Sequence, residues 1–167
     1  MVSTFTACFT KRLTERLRGQ GWTYGVSCQA HMDRDLGFLQ ITTSVQADRT
    51  MDAIEAIEAE IVALSSAAPI TQDEFASVHD AQVLGLVNMW TTNNEVLNSL
   101  LHEDAMGHPE GYAADLERRL CAITVDQVNE IAPMFGDPGK YVWVAAGDRK
   151  HLSAGRFVMV DRDGLPV

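Results

Sequence analysis

Positive charge is scarce in this sequence. Thirteen Lys and Arg stand against 23 Asp and Glu, a formal net charge of −10. Holding a phosphate backbone takes clustered Lys and Arg, so nucleic acid is not the expected partner. Long apolar runs are missing as well. Nothing approaches the roughly 18–20 continuous apolar residues of a membrane span. Cysteine is rare, odd in number and widely spaced, at Cys8, Cys28 and Cys121. That pattern excludes both a disulfide framework and a C-x-x-C metal or redox pair, and the expected state is three buried thiols. Met1-Val2-Ser3-Thr4 carries neither the charged nor the apolar region of a signal peptide. What is present is 46% apolar residues over a length of 167, enough for the core of one domain.

The apolar residues change period along the chain. Phe5, Phe9, Leu13 and Leu17 recur every four residues, with Lys11, Arg12, Glu15, Arg16 and Arg18 on the other faces, and Gly19 and Gly21 follow. This predicts an amphipathic helix that stops at the glycines. From Trp22 the period is two: Trp22, Tyr24, Val26, Cys28, Ala30 and Met32 alternate with Thr23, Gly25, Ser27, Gln29 and His31. Asp33-Arg34-Asp35 reads as a turn, and alternation resumes with Leu39, Ile41, Thr43, Val45 and Ala47. An antiparallel hairpin with one covered face is expected.

Helical spacing then returns in Met51, Ile54, Ile57, Ile61 and Leu64. Thr71 and Glu74 form a capping-box pattern with Ile70 and Phe75 as its staple, opening a helix that should run to about Trp90. Further helices are expected around Leu97, Leu100 and Leu101, ending near Gly107, and around Tyr112, Leu116 and Leu120. Thr124 and Gln127 repeat the capping box, and Pro133 should bend or end the helix that follows. Asp137-Pro138-Gly139 signals a turn, and Tyr141 to Ala146, apolar on both faces, reads as a central strand. The fold class is α+β: a mainly antiparallel sheet with helices packed on one face, in a single domain over residues 1–167. Charge is uneven. Residues 1–20 hold four basic groups and one acid, while residues 48–80 hold eight acids and one Arg, most simply a solvated helix face.

Motifs for autonomous chemistry are missing. The five histidines form neither H-E-x-x-H nor H-x-x-E-H, and there is no Gly-rich phosphate loop and no G-x-S-x-G elbow. His102 and His108 sit around a helix end and need not share a face. Ser27 and His31 share a strand face but lie about 13 Å apart, too far for a nucleophile and its base.

One stretch is more specific. Phe9-Thr10-Lys11-Arg12-Leu13-Thr14-Glu15-Arg16-Leu17-Arg18, then Gly21-Trp22-Thr23-Tyr24-Gly25-Val26-Ser27, resembles a segment of the insulinase/pitrilysin-type zinc peptidases, which include mitochondrial processing peptidase. Ile70-Thr71-Gln72-Asp73-Glu74-Phe75, Ile123-Thr124-Val125-Asp126-Gln127-Val128 and Val142-Trp143-Val144-Ala145-Ala146-Gly147-Asp148 resemble later landmarks of that family in the right order. The resemblance implies two homologous α/β domains facing each other across a cavity. One bears the H-x-x-E-H zinc motif; the other contributes an Arg and a Tyr that bind substrate. This chain is similar to the second, non-catalytic C-terminal domain.

By position, Arg18 matches the substrate-binding Arg and Tyr24 the Tyr, with Arg16 as the fallback because Tyr24 follows Arg18 by six residues where the family has seven. No catalytic residue and no metal ligand is expected on this chain, and zinc is expected in the partner domain. The implied partners are a zinc-bearing homologous domain or subunit, a peptide substrate, and a second copy of the chain. The family's first strand and helix have no counterpart here, and Thr6-Ala7 replaces its Gly-Gly, so a sheet with unpaired edges is expected.

Other roles for the same residues stand beside these. Strict alternation puts Tyr24 with Trp22, Val26 and Cys28, where it would be a core tyrosine with a wet hydroxyl. Arg18 at a helix C-terminus suits the helix dipole without any substrate. His31 would either line the cavity or be solvated. In function, the alternative to a substrate-binding half is a structural or protein-interaction domain of a processing-peptidase-like complex. The expected setting is a soluble chain of the bacterial periplasm or cytoplasm.

Overall fold

The first helix is set by one apolar stripe. In the computed structural model, which describes residues 1–32, 36–86, 91–109, 111–152 and 155–166, α1 spans Val2–Gly19. Its Phe5, Phe9, Leu13 and Leu17 are at most 1% exposed. They form the centre of the core, with Phe5 tilted on Phe9 at 6.0 Å and stacked on Phe135 at 5.1 Å. Gly21, at φ 72°, turns the chain out of the helix in a conformation that a side chain would strain, and Trp22 N donates back to Leu17 O at 3.2 Å.

Two strands follow, β1 (Thr23–Met32) and β2 (Gly37–Val45), paired antiparallel. The expected turn at 33–35 lies outside the described residues. Cys28 pairs with Ile41 and Ala30 with Leu39 on the face that covers α1, while Ser27–Thr42, Gln29–Gln40 and His31–Phe38 make the open face. Thr10 of α1 ties helix to strand: its Oγ1 accepts from Cys28 N at 2.9 Å and donates to Cys28 O at 3.3 Å.

The remaining helices pack around α1. α2 (Thr50–Leu64) buries Ala53, Ile54, Ile57, Ile61 and Leu64 along one stripe. α3 (Gln72–Gly85) and α6 (Val125–Phe135) both open with complete capping boxes, Thr71 with Glu74 and Thr124 with Gln127. The expected continuation of α3 toward Trp90 falls on residues 87–90, outside the described residues. Pro133 lies inside α6, which ends two residues later. Asn129 of α6 ties the start of α3 in place, accepting from Ile70 N at 2.9 Å and donating to Ile70 O at 3.0 Å.

α4 (Asn93–Met106) and α5 (Tyr112–Cys121) sit at the margin. α4 contains no buried residue, and the leucines expected to anchor it, Leu97, Leu100 and Leu101, are more than half exposed. His79 Nε2 joins α3 to the end of α5 through Leu120 O at 2.9 Å.

Three expectations need correcting. Tyr141 to Ala146 is extended but pairs with no strand among the described residues. Tyr141 and Trp143 rest against the core, whereas Val142 and Val144 are each 90% exposed. A strand exists only where a neighbouring backbone completes its ladder, and here none does. Cys8 and Cys28 are buried, but Cys121, in the last turn of α5, is exposed. The third correction concerns Tyr24.

Candidate functional site

The candidate site is the turn between α1 and β1. β1 carries one extra residue there: Thr23 pairs with Val45 and Val26 with Thr43, so Tyr24 and Gly25 together stand opposite Ser44. This is a β-bulge, and it inverts the parity of the strand. Thr23 and Val26 both face inward, and Tyr24 is released to the open face, 100% exposed. The core role that strict alternation allows it is therefore excluded. The same bulge explains why Thr23, a polar residue in a position expected to be outward, is only 7% exposed.

Hydroxyl groups hold the bulge. Thr23 Oγ1 donates to Ser44 O at 2.7 Å and accepts from Gly25 N at 3.1 Å, and Thr43 Oγ1 donates to Gly25 O at 3.0 Å. A bulge pinned by two buried or half-buried threonines re-aims its side chain as a fixed feature. Nothing in the alternating pattern announces it; the clue is Thr23-x-Gly25 opposite Thr43, a hydroxyl pair beside a glycine.

Arg18 lies on the other side of the same turn, in the last turn of α1. It is exposed and makes no ion pair among the described residues. Arg16 differs. Its Nε lies 3.9 Å from Glu60 Oε1 of α2, and two helical residues correspond to about 200° of rotation, so Arg16 and Arg18 project to opposite sides. The fallback residue is thus turned toward α2. Arg18 and Tyr24 remain as a guanidinium and a phenol flanking one turn, neither with a side-chain partner among the described residues.

The nearby strong ion pair belongs to the scaffold. Arg12 forks onto Glu74, with Nε 2.9 Å from Oε1 and Nη2 2.6 Å from Oε2, while Nη1 and Nη2 also donate to Ala68 O and Pro69 O. These bonds and those from Thr71 hold the Glu74 carboxyl down at about 2. Burial drives the Cys8 thiol up to about 11 and the Cys28 thiol to about 12, so neither is a nucleophile.

His31 is half-buried on the open face of the hairpin. Its ring stacks on Phe38 at 4.7 Å with Nε2 buried. His102 and His108 come within 6.3 Å of each other, centroid to centroid, with His108 stacked on Tyr112 at 3.7 Å. The shallow cleft beside them is lined by Arg118 and Arg119, which are already paired to Asp115. Among the described residues, no group of three or more His, Cys, Asp and Glu side chains is placed to hold a metal ion. No helix among the described residues is long and apolar enough to cross a membrane.

Comparison with known proteins bears on this geometry. The sequence profile described as the peptidase M16 inactive domain matches residues 4–81, which contain α1, the bulge and the Arg12–Glu74 pair. No curated protein sequence matches. Solved structures share the fold. A Bordetella pertussis Tohama I protein described as a candidate zinc protease superposes with a TM-score of 0.69 at 16% identity, covering 86% of this chain and 83% of that one. A peptidase M16 inactive domain from Pseudomonas fluorescens gives 0.67 at 18% identity, over 80% of this chain and 34% of that one. The first half of the periplasmic protease PqqL from Escherichia coli gives 0.63 at 18%, over 80% of this chain and 31% of that one. The chain thus matches about a third of the length of the last two, and at these identities the likeness is one of fold. Over residues 4–81, just under half of its length, the chain is similar to the peptidase M16 inactive domain.

Proposed function

We propose that residues 1–167 form one domain that serves as the substrate-binding, non-catalytic half of a zinc-dependent endopeptidase. It acts opposite a homologous domain or subunit carrying the H-x-x-E-H motif. The observation that carries this reading is the bulge that points Tyr24 wholly into solvent on the turn that follows Arg18, which has no ion-pair partner among the described residues. A tyrosine kept for packing would be buried; a tyrosine turned outward by a pinned bulge is available to a ligand.

A zinc ion on the facing domain would supply the activated water. This chain would supply charge stabilisation. As a peptide carbonyl is attacked, negative charge builds on its oxygen, and a guanidinium and a phenol O–H aimed there stabilise the charge where it develops. The rest of the open face, with Ser27, Gln29, Gln40, Thr42 and Ser44, offers short polar side chains over which an extended peptide can lie.

The experiment is turnover of the reconstituted pair. Arg18→Ala and Tyr24→Phe should each lower kcat on the order of 10²-fold, with assembly intact, and Arg16→Ala should leave kcat unchanged. If neither Arg18→Ala nor Tyr24→Phe changes kcat, the domain has a structural or protein-interaction role instead.

A further inference from the structure

The extended segment from Tyr141 to Ala146 has both a strand's shape and a strand's unmet needs. Tyr141 at its start has extended backbone, φ −91° ψ 138°, and so has Asp148 beyond the bend at Gly147, φ −73° ψ 118°. Between them burial alternates: Tyr141, Trp143 and Ala145 are half-buried, Val142, Val144 and Ala146 exposed. Among the described residues, no backbone hydrogen bond is made by residues 142–147. An extended, apolar, unpaired edge is a template for another strand.

The sequence of the segment specifies which strand fits. Laid antiparallel against a second copy of itself, with Val144 on the two-fold axis, it sets Trp143 opposite Ala145, Val142 opposite Ala146 and Tyr141 opposite Gly147. Each bulky residue meets a small one. At both ends Lys140 meets Asp148, which gives two opposite-charge pairs related by the two-fold. Lys140 is exposed and has no ion-pair partner among the described residues. Asp148 holds Lys150 at 2.9 Å on the surface, with about half of its side chain exposed and open to a second cation.

We infer that this segment is a dimerisation edge, and that its partner is the same segment of a second copy of this chain, joined as an antiparallel two-strand ladder centred on Val144. The dimer forms independently of the Arg18–Tyr24 site, which lies in different elements, so the two readings stand or fall separately.

Sedimentation of the full chain over a range of concentrations tests it. The expected result is a reversible monomer–dimer equilibrium. Val144→Arg places two cations about 5 Å apart across the axis and should raise the dimer dissociation constant at least ten-fold. Lys140→Glu should raise it several-fold, and Lys140→Glu with Asp148→Lys should restore it. Val144 is 90% exposed, so its replacement leaves the core untouched. As a positive test, Val144→Cys in a Cys121→Ser background should form a disulfide-linked dimer under a mild oxidant, since opposed strand residues lie within disulfide reach. Val158→Cys, on another largely exposed valine, should not. A chain that stays monomeric at hundreds of micromolar overturns the inference. So does a dimer indifferent to Val144→Arg, or equal cross-linking through positions 144 and 158.

Discussion

Replacing Glu74 by Gln probes the two-armed contact between Arg12 and Glu74. The carboxylate receives both arms of Arg12 and also accepts from Thr71 N and Thr71 Oγ1, at 2.8 and 3.0 Å. Gln keeps one acceptor oxygen for the cap and removes the charge together with the acceptor of one Arg12 arm. The Glu74 carboxyl is lowered from 4.5 to about 2, chiefly by Arg12. The full linkage value of such a shift is roughly 3 kcal/mol. A side chain with a quarter of its surface in water keeps part of that, and about 2 kcal/mol is the expected loss at pH 7. Because the folded pKa is depressed, this stabilisation is complete above about pH 5 and fades as pH falls toward 2. By linkage, roughly a quarter is gone at pH 4 and more than half at pH 3. Urea unfolding of both proteins at pH 7, 5 and 4 measures it. A difference under 0.5 kcal/mol at pH 7, or one that does not narrow at pH 4, would refute the assignment of Glu74 as a charged clamp between α1 and α3.

Other outcomes follow from the packing. Tyr24→Ala should change stability by less than about 0.5 kcal/mol, as an exposed side chain does, while Leu13→Ala should cost about 3–5 kcal/mol in the same denaturation assay. Gly136→Ala should destabilise, because a Cβ there would collide with the Cβ and Oγ of Ser65; a thermal melt would show it. At pH 8 a thiol reagent should label one cysteine of the folded chain, Cys121, and all three once the chain is unfolded. In an alkaline titration by ultraviolet absorbance, one tyrosine should ionise last, near 12: Tyr141, held back by burial.

Local signals in the sequence translated well and non-local ones did not. Both capping boxes involve residues three apart, and a helix start needs nothing else, so Thr71–Glu74 and Thr124–Gln127 could be read directly. The stripe from Phe5 to Leu17 likewise names the centre of the core. The resemblance to the peptidase family was carried by such local stretches. Strict alternation leaves Tyr24 a place in the core as well as at the site, because the inserted residue that reverses the parity of the strand shows only in the register with β2. Tyr141–Ala146 looked like a central strand because its side chains suit one; whether it joins a ladder within its own chain depends on a second strand far away in sequence. Leu97, Leu100 and Leu101 have core spacing on a helix that has no buried residue among the described ones. At the candidate site, Arg18 and Tyr24 could be named in advance. That Arg16 is turned toward Glu60 required the position of α2.

The succession of α1, β1 and β2 also bears on how the chain acquires its structure. The helix, the two strands packed on it and the Thr10 hydroxyl that stitches them all lie within the first 45 residues. Contacts so close in sequence close small loops at small entropic cost and form early. The Arg12–Glu74 fork and the Asn129–Ile70 bridge span about sixty residues each and come later. During synthesis, the part of the chain that carries Arg18 and Tyr24 would therefore be organised while the helices that brace it were still leaving the ribosome.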